Sequence, residues 1–194
     1  GYYGVQPQGD IAELTEDAPP QDIFMSTLCQ AWEQAARGAL AHGVRVACMR
    51  FGFVLGHQGS LPQLLLPVAL GMGGRLGSGR QWLSWVHVHD VIRAMAHVWR
   101  LAEQAGGDAE AAQVFNFTAP GALTQEEFTR VAASVMHRPC WMPTPAAPVR
   151  LLLGEQADLL LEGQRVVPAR LLQTGFQFAF PDARSALTDL CRPR

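Results

Sequence analysis

The stretch that most limits how this chain can fold runs from Trp82 to Val91, Trp-Leu-Ser-Trp-Val-His-Val-His-Asp-Val. Trp82, Ser84, Val86 and Val88 alternate with Leu83, Trp85, His87 and His89, the period of two that a pleated strand imposes. At Asp90 the rhythm changes. Val91, Ala94, Met95, Val98, Trp99 and Ala102 recur at helical spacing, and Asp90 is placed to cap the first turn through its carboxylate. A strand that runs straight into a helix is the unit of an α/β fold, and in an open sheet of that kind ligands sit at the carboxyl ends of the strands. His87, His89 and Asp90 crowd this junction, and the glycine-rich loop Arg75 to Gln81 feeds it.

The flanking sequence supplies partners for such a strand. Residues 1–20 read as a turn-rich loop with an acidic patch at Glu13, Glu16 and Asp17. From Asp22 the spacing predicts a helix with Phe24, Leu28, Ala31, Trp32, Ala35, Ala36 and Leu40 on one face, ended by Gly43. Val44 to Leu55 has few polar interruptions, the pattern of a parallel strand covered on both faces. Arg50 breaks that run, and a buried guanidinium requires a carboxylate, a carbonyl array or a bound anion beside it. Seven glycines between Gly56 and Gly79 surround the apolar segment Leu61 to Leu70, and such loops often fold over ligands. None of them forms G-x-G-x-x-G after a strand or G-x-x-x-x-G-K, so a phosphate-cradling motif is missing from the sequence.

Further on, Gly106 to Ala112 reads as a loop and Val114 to Phe117 as a short strand. Thr124 with Glu127 three residues later reads as a capping box. The remainder is a helical tail broken by Pro143, Pro145, Pro148 and Pro168, with leucine runs at 151–153 and 159–161. Phe176, Phe178 and Phe180 then alternate, and Pro181 opens a last short helix.

Charge narrows the partners. Fifteen basic and 17 acidic residues leave a formal charge of −2 with no basic stripe, which argues against nucleic acid. All 15 basic residues are arginine, so Schiff-base chemistry and any lysine acid, base or phosphate clamp are excluded for these residues. Four cysteines without a C-x-x-C pair fit a reducing, cytoplasmic setting. The apolar run Leu61 to Met72 is broken by Pro62, Pro67 and Gly71 and is too short for a bilayer. His87 and His89, two apart on a strand, are a possible grip for zinc or iron, but no third ligand follows at metal spacing, and no metal is expected. Cys29 reads as a packing thiol, the alternative being a thiolate pair with His87 or His89.

Taken together, Gly1-Tyr2-Tyr3-Gly4, the helix segment Leu28 to Glu33, Arg-Phe-Gly-Phe-Val-Leu-Gly at 50–56 and Gly77 to Asp90 resemble the extended short-chain dehydrogenase/reductase superfamily. More narrowly, they resemble its nucleoside-diphosphate-sugar epimerase-like branch. Leu161 to Leu171 and the following Thr174-Gly-Phe-Gln-Phe are similar to the small C-terminal extension of that branch. The resemblance implies an α/β chain: the later part of a Rossmann-like doubly wound parallel sheet over residues 1–118, including a substrate-loop insertion at 57–82, and a small, mostly helical extension over 119–194. It places the glycine-rich cofactor turn ahead of Gly1, so this portion alone is expected to be poorly soluble or to depend on a partner. It implies NAD or NADP as cofactor, with Phe51, Gly52, Phe53 and Val54 beside the nicotinamide. Tyr3, Arg80, Gln81, Trp82 and His87 are implied as contacts to a sugar-nucleotide-like or other small polar substrate. The superfamily's Tyr-x-x-x-Lys pair falls on Met25 and Cys29, neither of which titrates as that pair does. The catalytic residues are therefore unassigned. An NAD(P)-dependent epimerase or oxidoreductase and a catalytically idle dinucleotide-binding or regulatory module are both consistent with the sequence.

Overall fold

The computed structural model describes residues 1–7, 9–59, 61–104, 113–143 and 163–192. In chain order its elements are α1 (Phe24–Arg37), a 3-10 turn (Gly38–His42), β1 (Ala47–Phe51), β2 (Phe53–Leu55), α2 (Leu61–Ala69), β3 (Trp82–Leu83), β4 (Trp85–His87) and α3 (Val88–Gln104). They continue with β5 (Gln113–Phe117), β6 (Leu123–Thr124), α4 (Gln125–Val135), α5 (Ala169–Gln173) and α6 (Ala183–Leu190). β1 runs parallel to β5, with Cys48 opposite Val114 and Met49 opposite Phe115, and β2 runs parallel to β4, with Phe53 opposite Trp85. The α/β class with parallel pairing is therefore as predicted. β3 and β6 form a short antiparallel pair.

The apolar run expected as one strand is two, and Gly52 divides them. Its amide still donates to the Phe117 carbonyl of β5 (3.2 Å), whereas the next amide, Phe53, donates to Ser84 just before β4 (2.8 Å). One strand line thus changes neighbour within a single residue. Glycine is required there because a Cβ would lie 2.6 Å from the Ser84 carbonyl oxygen and 2.9 Å from Thr118 Cγ2. The segment leaving β5 stays in touch, since the Ala119 amide donates to the Trp85 carbonyl (2.6 Å). Nor is this line covered on both faces: Cys48 is buried, but Phe51 remains 52% exposed.

The junction after β4 differs from the sequence reading. α3 begins at Val88, two residues before Asp90, so Asp90 lies inside the first turn. The amide of His89 is instead capped by the imidazole Nδ1 of His87 (3.1 Å). Asp90, fully buried, accepts the amides of Ala179 (2.9 Å) and Phe180 (2.8 Å) and a guanidinium N–H of Arg93 (2.8 Å). A carboxylate expected to serve its own helix therefore ties down a segment about ninety residues away.

Two apolar clusters hold the layers. One joins Leu55, Trp85 and α2 (Leu61, Leu65, Val68) to α4 (Phe128, Ala132) and α6 (Ala186, Leu187, Leu190). The other joins Val86, Val91, Ala94, Val98, Phe115 and Phe117 to Leu171 and Phe176. Both clusters cross residue 118, joining Phe128, Ala132, Leu171, Phe176 and Leu187 to the strands. The capping box at Thr124 is present: its hydroxyl accepts the Glu127 amide while the Glu127 carboxylate accepts the Thr124 amide. Gly43 ends the first helical stretch with φ +71. The last helix starts at Ala183, capped by Asp182, and not at Pro181. The apolar face predicted for α1 is largely outward, with Phe24 78% and Trp32 65% exposed. Gly106 to Ala112, Pro145, Pro148 and the two leucine runs lie largely or wholly outside the described residues. Among the described residues no helix is long and apolar enough to cross a membrane.

Candidate functional site at the strand divide

Arg50, the exception in the apolar run, organises the site. Its Nε and Nη2 donate to the two carboxylate oxygens of Glu33 on α1 (2.6 and 2.9 Å), a bidentate pair. Its Nη1 donates to the Tyr3 hydroxyl (2.9 Å) and to the Glu16 carbonyl (3.2 Å), and its guanidinium carbon lies 3.2 Å from the centre of the Tyr2 ring. Burial works against the charge of Arg50, but Glu33 and Tyr3 outweigh it and hold the guanidinium protonated. The Tyr3 hydroxyl donates in turn to Asn116 Oδ1 on β5 (2.6 Å). Burial raises the Tyr3 phenol above its ordinary pKa, so it is held as a neutral hydrogen-bonding group.

This network pins Gly1 to Gly4 against the strand ends and so builds one wall of a cleft of about 460 Å³. Phe51, Gly52 and Phe53 lie at its base, with Tyr2, Tyr3, Met25 and Ser84 around it. Residues 163–167 close the far side. There the Ser84 hydroxyl donates to the Gln164 carbonyl (2.5 Å) and accepts the Val166 amide (2.8 Å), the Thr118 hydroxyl donates to the Val166 carbonyl (3.2 Å), and the Gln164 side chain reaches the Gly4 carbonyl. The volume lies within the range of small-molecule sites, roughly 300–1,000 Å³, and the cleft opens at the carboxyl end of β1, where such sites form in parallel sheets.

Of the residues expected to bind cofactor or substrate, Tyr3, Phe51, Gly52 and Phe53 are brought together here. Val54 packs behind them in the second apolar cluster. Gln81 and Trp82 line a separate cavity of about 90 Å³ that shares only Phe53 with the cleft. The Trp82 indole donates to the Asp10 carbonyl (2.7 Å), and Arg80 is exposed on its loop. His87 lies elsewhere, buried and stacked on Phe180 (3.9 Å between ring centres), with Nε2 3.3 Å from an Asp189 carboxylate oxygen but not aligned for a hydrogen bond. Burial lowers its pKa against the opposing pull of Asp189 and Asp90. Among the described residues no three His, Cys, Asp or Glu side chains come together to hold a metal ion. Met25 lines the cleft, and Cys29 one turn on lines an adjoining hollow with Trp32 and Glu33. All four cysteines are free.

The sequence reading missed Ser84, Thr118, Asn116 and Gln164. A signal existed for Asn116, a polar side chain inside the apolar strand Val114 to Phe117, where burial demands partners. It finds them in Tyr3, in the Val167 carbonyl (3.0 Å) and, through its amide, in the buried Glu16 carboxylate (2.9 Å). Residues 163–167 carried no such mark.

Comparison with known proteins fits this geometry. A family model described as a domain of unknown function (DUF1731) matches residues 144–190. An epimerase family protein of Staphylococcus saprophyticus is 40% identical over 191 residues, covering 98% of this chain and 61% of the relative. Over nearly its whole length this chain is similar to epimerase family proteins. Its resemblance to the epimerase-like branch of the extended short-chain dehydrogenases/reductases is thereby confirmed. The epimerase family protein YfhF of Bacillus subtilis is 34% identical, covering 100% of this chain and 61% of the relative. The crystal structure of human epimerase family protein SDR39U1 (isoform 2) with NADPH superposes with a TM-score of 0.82 at 35% identity, covering 97% of this chain and 61% of that one. A UDP-galactose 4-epimerase structure at 18% identity and a TM-score of 0.67 shares the fold. The chain thus spans about 61% of the length of these relatives.

Proposed function

We propose that this chain forms the substrate-side part of an NAD(P)-dependent epimerase or oxidoreductase, with the nicotinamide end of the cofactor lying against Phe51, Gly52 and Phe53 and Val54 supporting them from behind. The observation that carries this reading is the cleft at the strand divide, where Gly52 keeps the backbone bare beside the half-exposed Phe51 ring. A flat apolar ring and open backbone groups suit a nicotinamide, and the relative solved with NADPH has the same fold. Neither glycine-rich phosphate motif occurs in these 194 residues, so the fit argued concerns the nicotinamide end only. A bound reduced nicotinamide supplies two electrons and one proton to a carbonyl carbon while the oxygen takes a proton from water, and oxidation of an alcohol is the reverse. Gln81 and Trp82 stand on the substrate side through the smaller cavity, Tyr3 forms part of the cleft wall, and Arg80 and His87 line neither cavity. The setting proposed is the cytoplasm, where the four free thiols stay reduced.

Calorimetric titration of the protein with NADPH, NADP⁺ and NADH tests the reading. Gly52→Val, which brings a Cβ and two methyl groups against Ser84 and Thr118, is expected to weaken NADPH binding by about tenfold or more. Wild-type protein that binds none of the three refutes it. A second reading, an idle dinucleotide-binding or regulatory module, is favoured by one observation: the chain has no lysine, which the superfamily's Tyr-x-x-x-Lys pair, placed by the resemblance at Met25 and Cys29, would need. Cofactor binding without turnover on any substrate would decide for it.

A further inference from the structure

We infer that the substrate taken at this cleft is an uncharged, predominantly apolar carbonyl or alcohol compound and not a nucleoside-diphosphate sugar; this rests on the cofactor reading above. A diphosphate is an anion whose burial requires cations, and proteins hold such groups with arginine forks or lysines. Among the described residues lining the cleft the single charged side chain is Arg50, and both arms of its fork are closed on Glu33. Arg80 is exposed on its loop and lines neither cavity, and the arginines flanking the far wall are likewise committed. Arg165 pairs with Glu13 (3.0 Å), donates to the Ile11 carbonyl (2.6 Å) and lies over the Trp82 ring. Arg170 pairs with Asp17 (2.5 Å) and donates to the Val114 carbonyl (3.2 Å).

What remains is neutral and largely apolar: Val5, Ile23, Met25, Phe51, Phe53 and Val166. The hydroxyls of Tyr3, Ser84 and Thr118 are already engaged by the protein. Phe53 also forms part of the smaller cavity of about 90 Å³, whose walls include Leu64, Leu65, Val68, Leu83 and Phe128. A hollow of that kind beside the reacting end accepts a short alkyl group or the edge of a ring and rejects a charged one. Met25 adds to this, because a thioether stands at the cleft where a phenol and its lysine would make the site polar.

The test uses the whole chain, first loaded with NADPH by calorimetric titration. Saturation-transfer NMR and competition then compare UDP-glucose with two neutral carbonyl probes, cyclohexanone and benzaldehyde. The neutral probes are expected to bind at least about tenfold more tightly than UDP-glucose, and Met25→Arg, a change at an exposed helix position, to reverse that order. UDP-glucose binding as tightly as the neutral probes overturns the inference. So does NADPH binding with no carbonyl probe bound, and that result leaves the cofactor reading standing. Failure to bind NADPH overturns the cofactor reading and this inference with it.

Discussion

Replacing Asp90 by Asn is a sharp test of how the C-terminal region is held. The carboxylate has no solvent exposure and accepts two main-chain amides, from Ala179 and Phe180 at 2.9 and 2.8 Å, besides the Arg93 guanidinium. A carboxamide keeps one acceptor and turns an N–H₂ toward the other amide, so one buried N–H loses its partner. A hydrogen bond to a charged group contributes about 1.5–3 kcal/mol, and an unsatisfied buried amide costs about 1–3 kcal/mol. The Arg93 side chain is 39% exposed, so solvent screening limits its ion pair to under about 1 kcal/mol. The variant should lose roughly 3–5 kcal/mol, lowering Tm by roughly 6–20 °C for a chain of this size. Urea unfolding gives the first figure, and hydrogen exchange at the amides of Ala179 and Phe180 locates the loss. A change below about 1 kcal/mol, with both amides still protected, would show that the apolar contacts of Phe176 and Leu187 hold the segment without the carboxylate.

His87 should make stability depend on acid. Its folded pKa is lowered, so the unfolded chain takes up the proton first, and stability falls as pH drops from about 6.5 toward the folded value. Protonation at Nδ1 also removes the acceptor that caps the His89 amide. His87→Asn, which caps without titrating, should flatten urea midpoints across that window; an unchanged slope rejects the assignment. Tyr3 has the opposite sense. The fold raises its pKa, so its stabilisation is present below about pH 10 and lost as pH rises beyond it. Tyr3→Phe should cost about 1–3 kcal/mol by stranding Asn116 Oδ1, and should remove the alkaline loss followed at 295 nm, a signal readable because the chain has two tyrosines.

Sequence alone made visible whatever is set by near neighbours. The capping box at Thr124 is written in residues three apart, Gly43 marks its own left-handed turn, and the strand at Gln113–Phe117 follows from local pattern. The parallel pairing near Cys48, Trp85 and Phe115 was implied by the family resemblance and is present. What escaped depends on distant partners. Asp90 looked like a cap because capping is the local use of such a residue, and its true acceptor role comes from amides 89 and 90 positions away. Gly52 was one glycine inside an apolar run, and only the approach of Ser84 gives it meaning. For Arg50 the need for a partner was readable, but Glu33, Tyr3 and Tyr2 as those partners were not. The wall at residues 163–167 works mainly through main-chain groups, which leave little trace in residue type.

The change of neighbour at Gly52 has a consequence for how such a chain can diverge. Its opening comes from a fork in the main chain, where β1 and β2 follow β5 and then β4, and not from small side chains hollowing out a core. Lining positions such as Met25 and Phe51 can therefore be exchanged without the hollow collapsing. Preference for one compound over another can drift on a scaffold whose vacancy is fixed by its skeleton.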